Sequence, residues 1–105
     1  MLDPTFQQKL PEVTRLLKEH KVKRAYAFGS IVNGKFNSES DIDLLISFEE
    51  GLDPLVRGEH WWELYFGLQD LFKREIDLVT EEQLRNPYLI ESIDENKSLI
   101  YGKGT

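Results

Sequence analysis

The sequence predicts a small α/β (α+β) fold in which a mixed β-sheet carries helices mainly on one face. Polar and apolar residues alternate with a period of two over several short segments, which is typical of strands. In the segments that begin at Pro11 and His60, apolar residues recur at helical spacing, which is typical of helices packed against a sheet. The 105 residues are expected to form a single domain, 1–105.

Turn residues and changes of periodicity divide the chain into predicted elements. Asp3-Pro4 has the pattern of a helix cap followed by proline in the first turn, and Pro11 argues against one helix from Thr5 to His20. From the N-terminus, we predict a loose lead-in or short helix at 1–9, a helix from Pro11, a strand at 22–28, a polar loop at 33–40 and a strand at 41–48. A turn-rich connection then begins at Glu49 and continues as an ordered loop through Gly58, and it is followed by a helix at 60–72 and a strand at 75–80. The last predicted elements are a helical turn at 81–85, a helix that starts at Asn86-Pro87, and a short strand or extended segment at 98–101.

The helix predicted at 60–72 has the clearest apolar stripe, which we expect to lie in the core. The stripe consists of Trp61, Leu64, Tyr65, Leu68, Leu71 and Phe72. Trp62 and Phe66 lie off its centre, where they could widen the buried face or meet a partner. We expect His20 to be a solvated residue at a helix end and His60 to be an exposed polar residue.

Composition and charge exclude several classes of function. The formal net charge of −6 argues against an extended nucleic-acid surface, which needs clustered lysine and arginine. The chain has no cysteine, so it has neither a disulfide framework nor a thiolate metal site. Since no segment resembles a membrane span or a signal peptide, we expect a cytoplasmic protein with no membrane partner.

Two carboxylates at the start of the strand predicted at 41–48 are candidate metal ligands. On a strand, Asp41 and Asp43 share one face with Leu45, about 6–7 Å apart. Like charges held so close raise each other's pKa unless a cation neutralises them. A hard divalent cation prefers carboxylate oxygens. The alternative is a pair of carboxylates at a solvated strand end.

A Gly-Ser turn directly after the first predicted strand is a candidate phosphate site. Gly29 allows a positive φ or a close backbone approach, and Ser30 can cap the helical turn that follows. Amide groups at such a turn bind phosphate. The alternative is an ordinary turn with a capping serine.

Asp77 in the strand predicted at 75–80 is a third candidate. It shares a face with Val79, while Ile76 and Leu78 take the other face. A buried carboxylate without a partner is unfavourable, so Asp77 must be paired, exposed at a strand end, or functional.

Taken together, Gly29-Ser30, Gly34 and Ser40-Asp41-Ile42-Asp43-Leu44 closely resemble the signature of the polymerase-β-like nucleotidyltransferase superfamily. The chain looks most like the minimal members of that superfamily, along residues 22–102. Asp77 stands where these proteins carry a third acidic residue. The resemblance implies a polymerase-β-like nucleotidyltransferase core.

The resemblance also implies an activity: transfer of a nucleoside monophosphate from a nucleoside triphosphate, here expected to be ATP, to a hydroxyl. Asp41, Asp43 and Asp77 would be the catalytic residues and would hold two Mg²⁺ ions, and Gly29 and Ser30 would bind the nucleotide phosphates. Two metal ions can stabilise both the attacking and the leaving oxygen. Minimal members often pair with a HEPN-domain toxin and neutralise it by adding AMP to a tyrosine.

One departure from the family pattern keeps a rival function open. Many relatives have an arginine shortly after Gly-Ser, whereas Ile31-Val32-Asn33 carries no charge here, and Lys35 is the nearest substitute. A non-catalytic module that neutralises a partner by contact is therefore the alternative. Transfer to a small molecule or to an RNA end is a third hypothesis, but it would call for an added domain or a basic surface.

Overall fold

Four strands form one mixed sheet in the computed structural model, which describes residues 2–102. The strands are β1 Val22–Phe28, β2 Ile42–Phe48, β3 Ile76–Thr80 and β4 Ser98–Tyr101, in the spatial order β3-β2-β1-β4. β1 is antiparallel to β2 and to β4, whereas β2 and β3 are parallel. The predicted mixed sheet is therefore confirmed.

Five α-helices and one 3-10 turn accompany the sheet in the described part of the chain. They are α1 Pro4–Gln8, α2 Leu10–Glu19, α3 Ser30–Asn33, α4 Pro54–Phe72, the 3-10 turn Glu81–Gln83 and α5 Pro87–Asn96. Within residues 2–102, none of these helices has the length and apolar character needed to cross a membrane.

The N-terminal segment folds as its proline pattern predicts. The Asp3 carboxylate accepts hydrogen bonds from the amides of Thr5 (3.0 Å) and Phe6 (3.2 Å), which caps α1. α1 and α2 are separate helices, and Pro11 lies in the first turn of α2. Pro11 is tolerated there because the first amides of a helix have no intrahelical partner.

The start of α4 corrects the prediction of an ordered loop through Gly58. The helix begins at Pro54, because the Asp53 carboxylate caps it by accepting a hydrogen bond from the Leu55 amide at 2.9 Å. Asp53-Pro54 repeats the cap-and-proline pattern of Asp3-Pro4. As a consequence, Arg57 lies on a helix and not in a loop.

Alternation along the strands sorts the sheet residues into two clusters. The larger cluster lies under α1, α2 and α4, and includes Ile42, Leu44, Ile46 and Phe48 of β2. The smaller cluster lies on the opposite face with α5 and is built around Tyr26, Leu45 and Ile93. Helices therefore pack mainly on one face, as predicted, while α5 covers part of the other.

The aromatic stripe of α4 packs against the sheet, and the residues beside the stripe remain exposed. Leu64 and Leu68 are fully buried, and the Trp61 indole donates a hydrogen bond to the Leu78 carbonyl at 3.1 Å. Trp62 is 55% exposed and Phe66 is 57% exposed, so they do not widen the core.

The prediction that His20 is solvated is wrong. His20 follows the last residue of α2 and is only 9% exposed, because α4 packs over it. Its ring meets the ring of His60 on α4 edge-on, with centroids 5.4 Å apart. His60 is half-buried by this contact.

Candidate active site

Strand register brings two of the three candidate carboxylates side by side. Asp43 on β2 is the direct partner of Asp77 on the parallel strand β3. Parallel partners point to the same side of a sheet, so both carboxylates lie on the face of the smaller cluster. On the other flank of β2, Asp43 is opposite Phe28, the last residue of β1.

Asp41 lies just before β2, because the strand begins at Ile42 and not at Asp41 as predicted. Asp41 and Asp77 are exposed, whereas Asp43 is half-buried. Asp43 is thus the inner member of the set, with one exposed carboxylate two residues earlier and another on the neighbouring strand.

Burial raises the pKa of Asp43 from its ordinary 3.8 to about 6, and the neighbouring charges of Asp77 and then Asp41 add to this effect. A hydrogen bond between the carboxyls of Asp43 and Asp77 favours the protonated form of Asp43 in the same direction. Such a shift indicates a partly buried site where negative charge is concentrated and where a bound cation would be stabilised.

Gly29 forms the wall behind the Asp43 carboxylate. It adopts a φ of +75°, a conformation that favours glycine. A Cβ built at this position would overlap the Oδ2 atom of Asp43. Glycine is therefore required here for two reasons, its backbone conformation and the close approach of the carboxylate.

The Gly-Ser turn leads into α3, which is the single helical turn predicted after Ser30. The amides of Val32 and Asn33 donate to the Gly29 carbonyl at 3.1 and 3.3 Å. Ser30 is the first residue of α3 and does not cap it; the cap residue is Gly29, which has no side chain to do so. Ser30 is half-buried and lines a cavity of about 400 Å³ on the side of Asp3 and Pro4.

Arg74 is a site-positioning residue that the sequence reasoning missed. Its guanidinium donates to the carbonyls of Asn37 (2.9 Å) and Ser40 (2.8 Å) and lies 4.4 Å from the centre of the Phe36 ring. These contacts hold the loop that ends at Asp41. The signal in the sequence is weak, since it consists only of an arginine three residues before Asp77.

A small cavity opens between the Gly-Ser turn and α5. It has a volume of about 190 Å³, and its lining is partly apolar and partly amide or hydroxyl: Phe28, Gly29, Asn33, Leu89, Ser92, Ile93 and Asn96. A larger cavity of about 500 Å³ lies beside Arg57, Trp61 and Thr80, and none of the three aspartates lines it. None of the three aspartates lines the smaller cavity either, so the carboxylates and not a cavity define the candidate site.

The three residues Ile31-Val32-Asn33, which begin two positions after Gly29, carry no charged side chain. Ile31 and Val32 are buried in the larger cluster, so these positions serve packing. Lys35 is exposed after α3, and its role as a substitute remains a prediction.

Comparison with known families matches residues 10–100 to the nucleotidyltransferase domain. The chain belongs to the nucleotidyltransferase family. One relative is MJ1379 of Methanocaldococcus jannaschii, which is named as a candidate protein adenylyltransferase. The two sequences are 34% identical over 100 residues, and the match covers 88% of this chain and 96% of that protein. The domain is thus an enzyme domain, and nucleotidyl transfer is the activity of its family.

Solved structures resemble this nucleotidyltransferase over nearly its whole length. A candidate minimal nucleotidyltransferase superposes with a TM-score of 0.74 and 31% identity over 93% of this chain and 95% of that one. A toxin–antitoxin protein crystallised with AMP-PNP superposes with a TM-score of 0.70 and 25% identity, covering 90% of this chain and 73% of that one. The predicted fold, a minimal polymerase-β-like nucleotidyltransferase core, is confirmed.

Proposed function

We propose that this nucleotidyltransferase transfers AMP from ATP to a tyrosine hydroxyl of a HEPN-type toxin and thereby acts as its antitoxin in the cytoplasm. The observation that carries the proposal is the contact between the Asp43 carboxylate and Gly29. This contact puts a group that attracts cations directly against a turn suited to phosphate, which is the pairing that a metal-bound nucleotide requires.

The phosphate end of the nucleotide would bind at the Gly-Ser turn. The first amides of a helix have no intrahelical partner, so the start of α3 offers donors beside the Ser30 hydroxyl. The neighbouring cavity of about 190 Å³, with an apolar side at Phe28 and Leu89 and polar groups at Ser92 and Asn96, would contact only part of the nucleoside.

The chemistry of the three carboxylates suits divalent cations, because hard cations prefer carboxylate oxygens. Asp43 is half-buried beside Asp77 with its pKa raised to about 6, and a cation would offset the repulsion that causes part of this shift. We propose that Asp41, Asp43 and Asp77 would hold two Mg²⁺ ions. Such ions supply charge stabilisation to the attacking and the leaving oxygen.

The chain's own residues then account for orientation and for proton removal. Gly29 and Ser30 would hold the β- and γ-phosphates so that the α-phosphorus faces the exposed Asp77. The tyrosine oxygen forms a bond to the α-phosphorus while the bond to the pyrophosphate oxygen breaks. Asp77 would accept the phenolic proton, and pyrophosphate leaves with the broken bond.

A protein acceptor is supported by the exposure of the site and by the relatives. Asp41 and Asp77 are exposed, so a hydroxyl on another protein can approach them. The relative MJ1379 is named for transfer to protein, and a structural neighbour is a toxin–antitoxin protein solved with an ATP analogue. The HEPN identity of the partner rests on the family resemblance of the sequence.

The test is mass spectrometry of the HEPN-domain partner after incubation with the enzyme, Mg²⁺ and each nucleoside triphosphate in turn. ATP should add one or more AMP units to a tyrosine. In Asp77→Asn, the rate of AMP addition should fall by about 10²–10⁴-fold from loss of the general base alone, whereas nucleotide binding should remain. Asp70→Asn is the matched control, because Asp70 is an exposed α4 residue paired only with Lys73 in the described chain.

The second candidate function, neutralisation by contact alone, is favoured by one observation. Ile31 and Val32 are buried and uncharged, so these two positions supply no cation to a phosphate at the turn. If the wild-type protein never changes the partner's mass, and Asp77→Asn neutralises the partner equally well, contact is sufficient and the enzymatic proposal fails.

A further inference from the structure

Two histidines and a glutamate meet where the end of α2 packs against α4. The Nδ1 atoms of His20 and His60 are 3.2 Å apart, and His20 Nδ1 is 3.7 Å from Glu63 Oε2. One ligand atom from each residue lies within 4.8 Å of the other two. Among residues 2–102, no other set of histidine, cysteine, aspartate or glutamate side chains meets this criterion.

The backbone of two elements positions these side chains. His20 directly follows α2, and its side chain is nearly buried. His60 and Glu63 are three residues apart on α4, a spacing that places them on one face of the helix. The three groups therefore converge because α2 packs on α4, and not because they are close in sequence.

This cluster is separate from the carboxylates. His20 lies two residues before β1, whereas Gly29 directly follows the opposite end of β1. The two groups also differ in chemistry. Asp41, Asp43 and Asp77 offer only oxygen ligands, which suit Mg²⁺. The histidine–glutamate cluster offers two imidazole nitrogens and one carboxylate, which suit Zn²⁺ and similar transition metals.

The distances fit a tetrahedral site after one small movement. Bonds of about 2.0–2.1 Å to zinc place two tetrahedral ligands about 3.3 Å apart. The His20 and His60 nitrogens already have this spacing. Glu63 is exposed, so its side chain can close the remaining gap without disturbing the core.

We infer that His20, His60 and Glu63 form a second metal site, which binds one Zn²⁺ ion and clamps the end of α2 to α4. The ion would have three protein ligands and a water molecule in the fourth position. Because the ligands come from two helices that pack on the same sheet face, binding would stabilise the folded protein over the unfolded one. The site is independent of the proposed function.

A simple hydrogen bond is the competing explanation for the histidine pair. One neutral imidazole can donate to the other, since each ring has one donor and one acceptor nitrogen. That explanation accounts for the distance of 3.2 Å but gives Glu63 no necessary role. The two explanations therefore differ in what removal of the Glu63 charge should do.

The experiment is a calorimetric titration of the full, chelator-treated protein with ZnCl₂. The titrated protein is the double variant Asp43→Asn with Asp77→Asn, called the carrier below, so that the carboxylates of β2 and β3 do not contribute to metal binding. Titration with CoCl₂ is monitored in parallel by visible absorption, because tetrahedral cobalt with nitrogen ligands has distinct bands. His60→Gln and Glu63→Gln each remove one ligand, and Glu59→Gln is the control, an exposed α4 glutamate one turn from Glu63.

One equivalent of Zn²⁺ should bind the carrier, and the Tm should rise by about 10 °C at ~100 times the Kd. His60→Gln and Glu63→Gln should each weaken binding by more than about tenfold, whereas Glu59→Gln should bind like the carrier. The proposal is overturned if the carrier binds no zinc, or if it binds zinc equally well after His60→Gln. Loss of binding by His60→Gln with no effect of Glu63→Gln would also overturn the three-ligand site.

Discussion

The two faces of the sheet differ in how they are covered and in where their charges lie. On the face under α1, α2 and α4, the strands contribute a continuous apolar layer that includes the fully buried Leu44 and Ile46. On the α5 face the apolar cluster is small, and polar contacts support it. Arg24 donates to both Glu81 oxygens at 2.9 and 2.7 Å, and Lys97 lies 4.3 Å from the centre of the Tyr26 ring.

This difference has a physical reason. Asp43 and Asp77, which we propose to meet a cation and a substrate, lie on the α5 face, and an apolar layer over these carboxylates would be unfavourable. The opposite face can be sealed, since it carries no site of this kind. We therefore expect most of the stabilising apolar burial to lie on the face under α4.

The largest effect that would sharpen this comparison is expected from Asp43→Asn. The substitution keeps the size of the side chain but removes the inner anionic ligand. We expect Mg²⁺–ATP binding to be severely weakened and transfer to the partner to fall by at least about 10³-fold, because metal ions supply several kcal/mol of charge stabilisation. Calorimetry measures the binding and mass spectrometry the transfer.

Asp70→Asn should leave both quantities unchanged, since Asp70 lies on α4 away from the carboxylates. Unchanged Mg²⁺–ATP binding in folded Asp43→Asn would instead identify the carboxylates as a solvated strand end.

The second prediction compares the two faces by truncating a leucine on each. Leu64 on α4 is fully buried, whereas Leu89 on α5 is 46% exposed. Leu64→Ala should lower the free energy of unfolding by about 2–5 kcal/mol, and Leu89→Ala should change it by about 0.5 kcal/mol or less. Urea unfolding measures both, and equal losses would mean that the α5 face contributes as much stability as the α4 face.

The third prediction concerns Arg74, which links the loop before Asp41 to the start of β3. Arg74→Ala removes two charge-assisted hydrogen bonds to carbonyls, so the free energy of unfolding should fall by about 1–3 kcal/mol. Mg²⁺–ATP binding should weaken as well, because Asp41 loses its fixed position. Arg85→Ala is the control, since Arg85 is exposed. Tight nucleotide binding by a destabilised Arg74→Ala would show that Asp41 needs no such support.

The smallest effect is a pH dependence of stability in the metal-free protein. The pKa of Asp43 is about 6 in the folded protein and 3.8 ordinarily, so the folded state binds this proton more tightly. The resulting stability is present below the ordinary pKa and is lost as the pH rises through about 6. Asp43→Asn should therefore be more stable than the wild type at pH 7, and the difference should shrink toward pH 4.

Urea midpoints measured in the presence of a chelator would test this. A difference that grows as the pH falls would contradict the sign of the shift. Excess Mg²⁺ should remove most of the advantage of Asp43→Asn at pH 7, because the cation stabilises the ionised wild-type carboxylate.

Local patterns in the sequence were sufficient for the elements and for most candidate site residues. The alternation around Asp43 and Asp77 predicts their faces correctly, because the side-chain period of a strand does not depend on its neighbours. Pro87 and Asn86 likewise predict the start of α5, where the Asn86 side chain accepts from the Tyr88 amide at 2.9 Å. The largest difference in a helix start is at Pro54, where Asp53-Pro54 is a local signal for the start of a helix as well as for a turn.

What only the tertiary structure decided is which residues meet across elements. The parallel register of β2 and β3 places Asp43 beside Asp77, whose charge adds to the rise in the pKa of Asp43 that burial causes. No local pattern specifies a register between strands that a helix of 19 residues separates. The burial of His20 depends in the same way on α4 packing over the end of α2. Side-chain periodicity is set by the backbone of one segment, whereas proximity and burial are set by packing between segments that are distant in sequence.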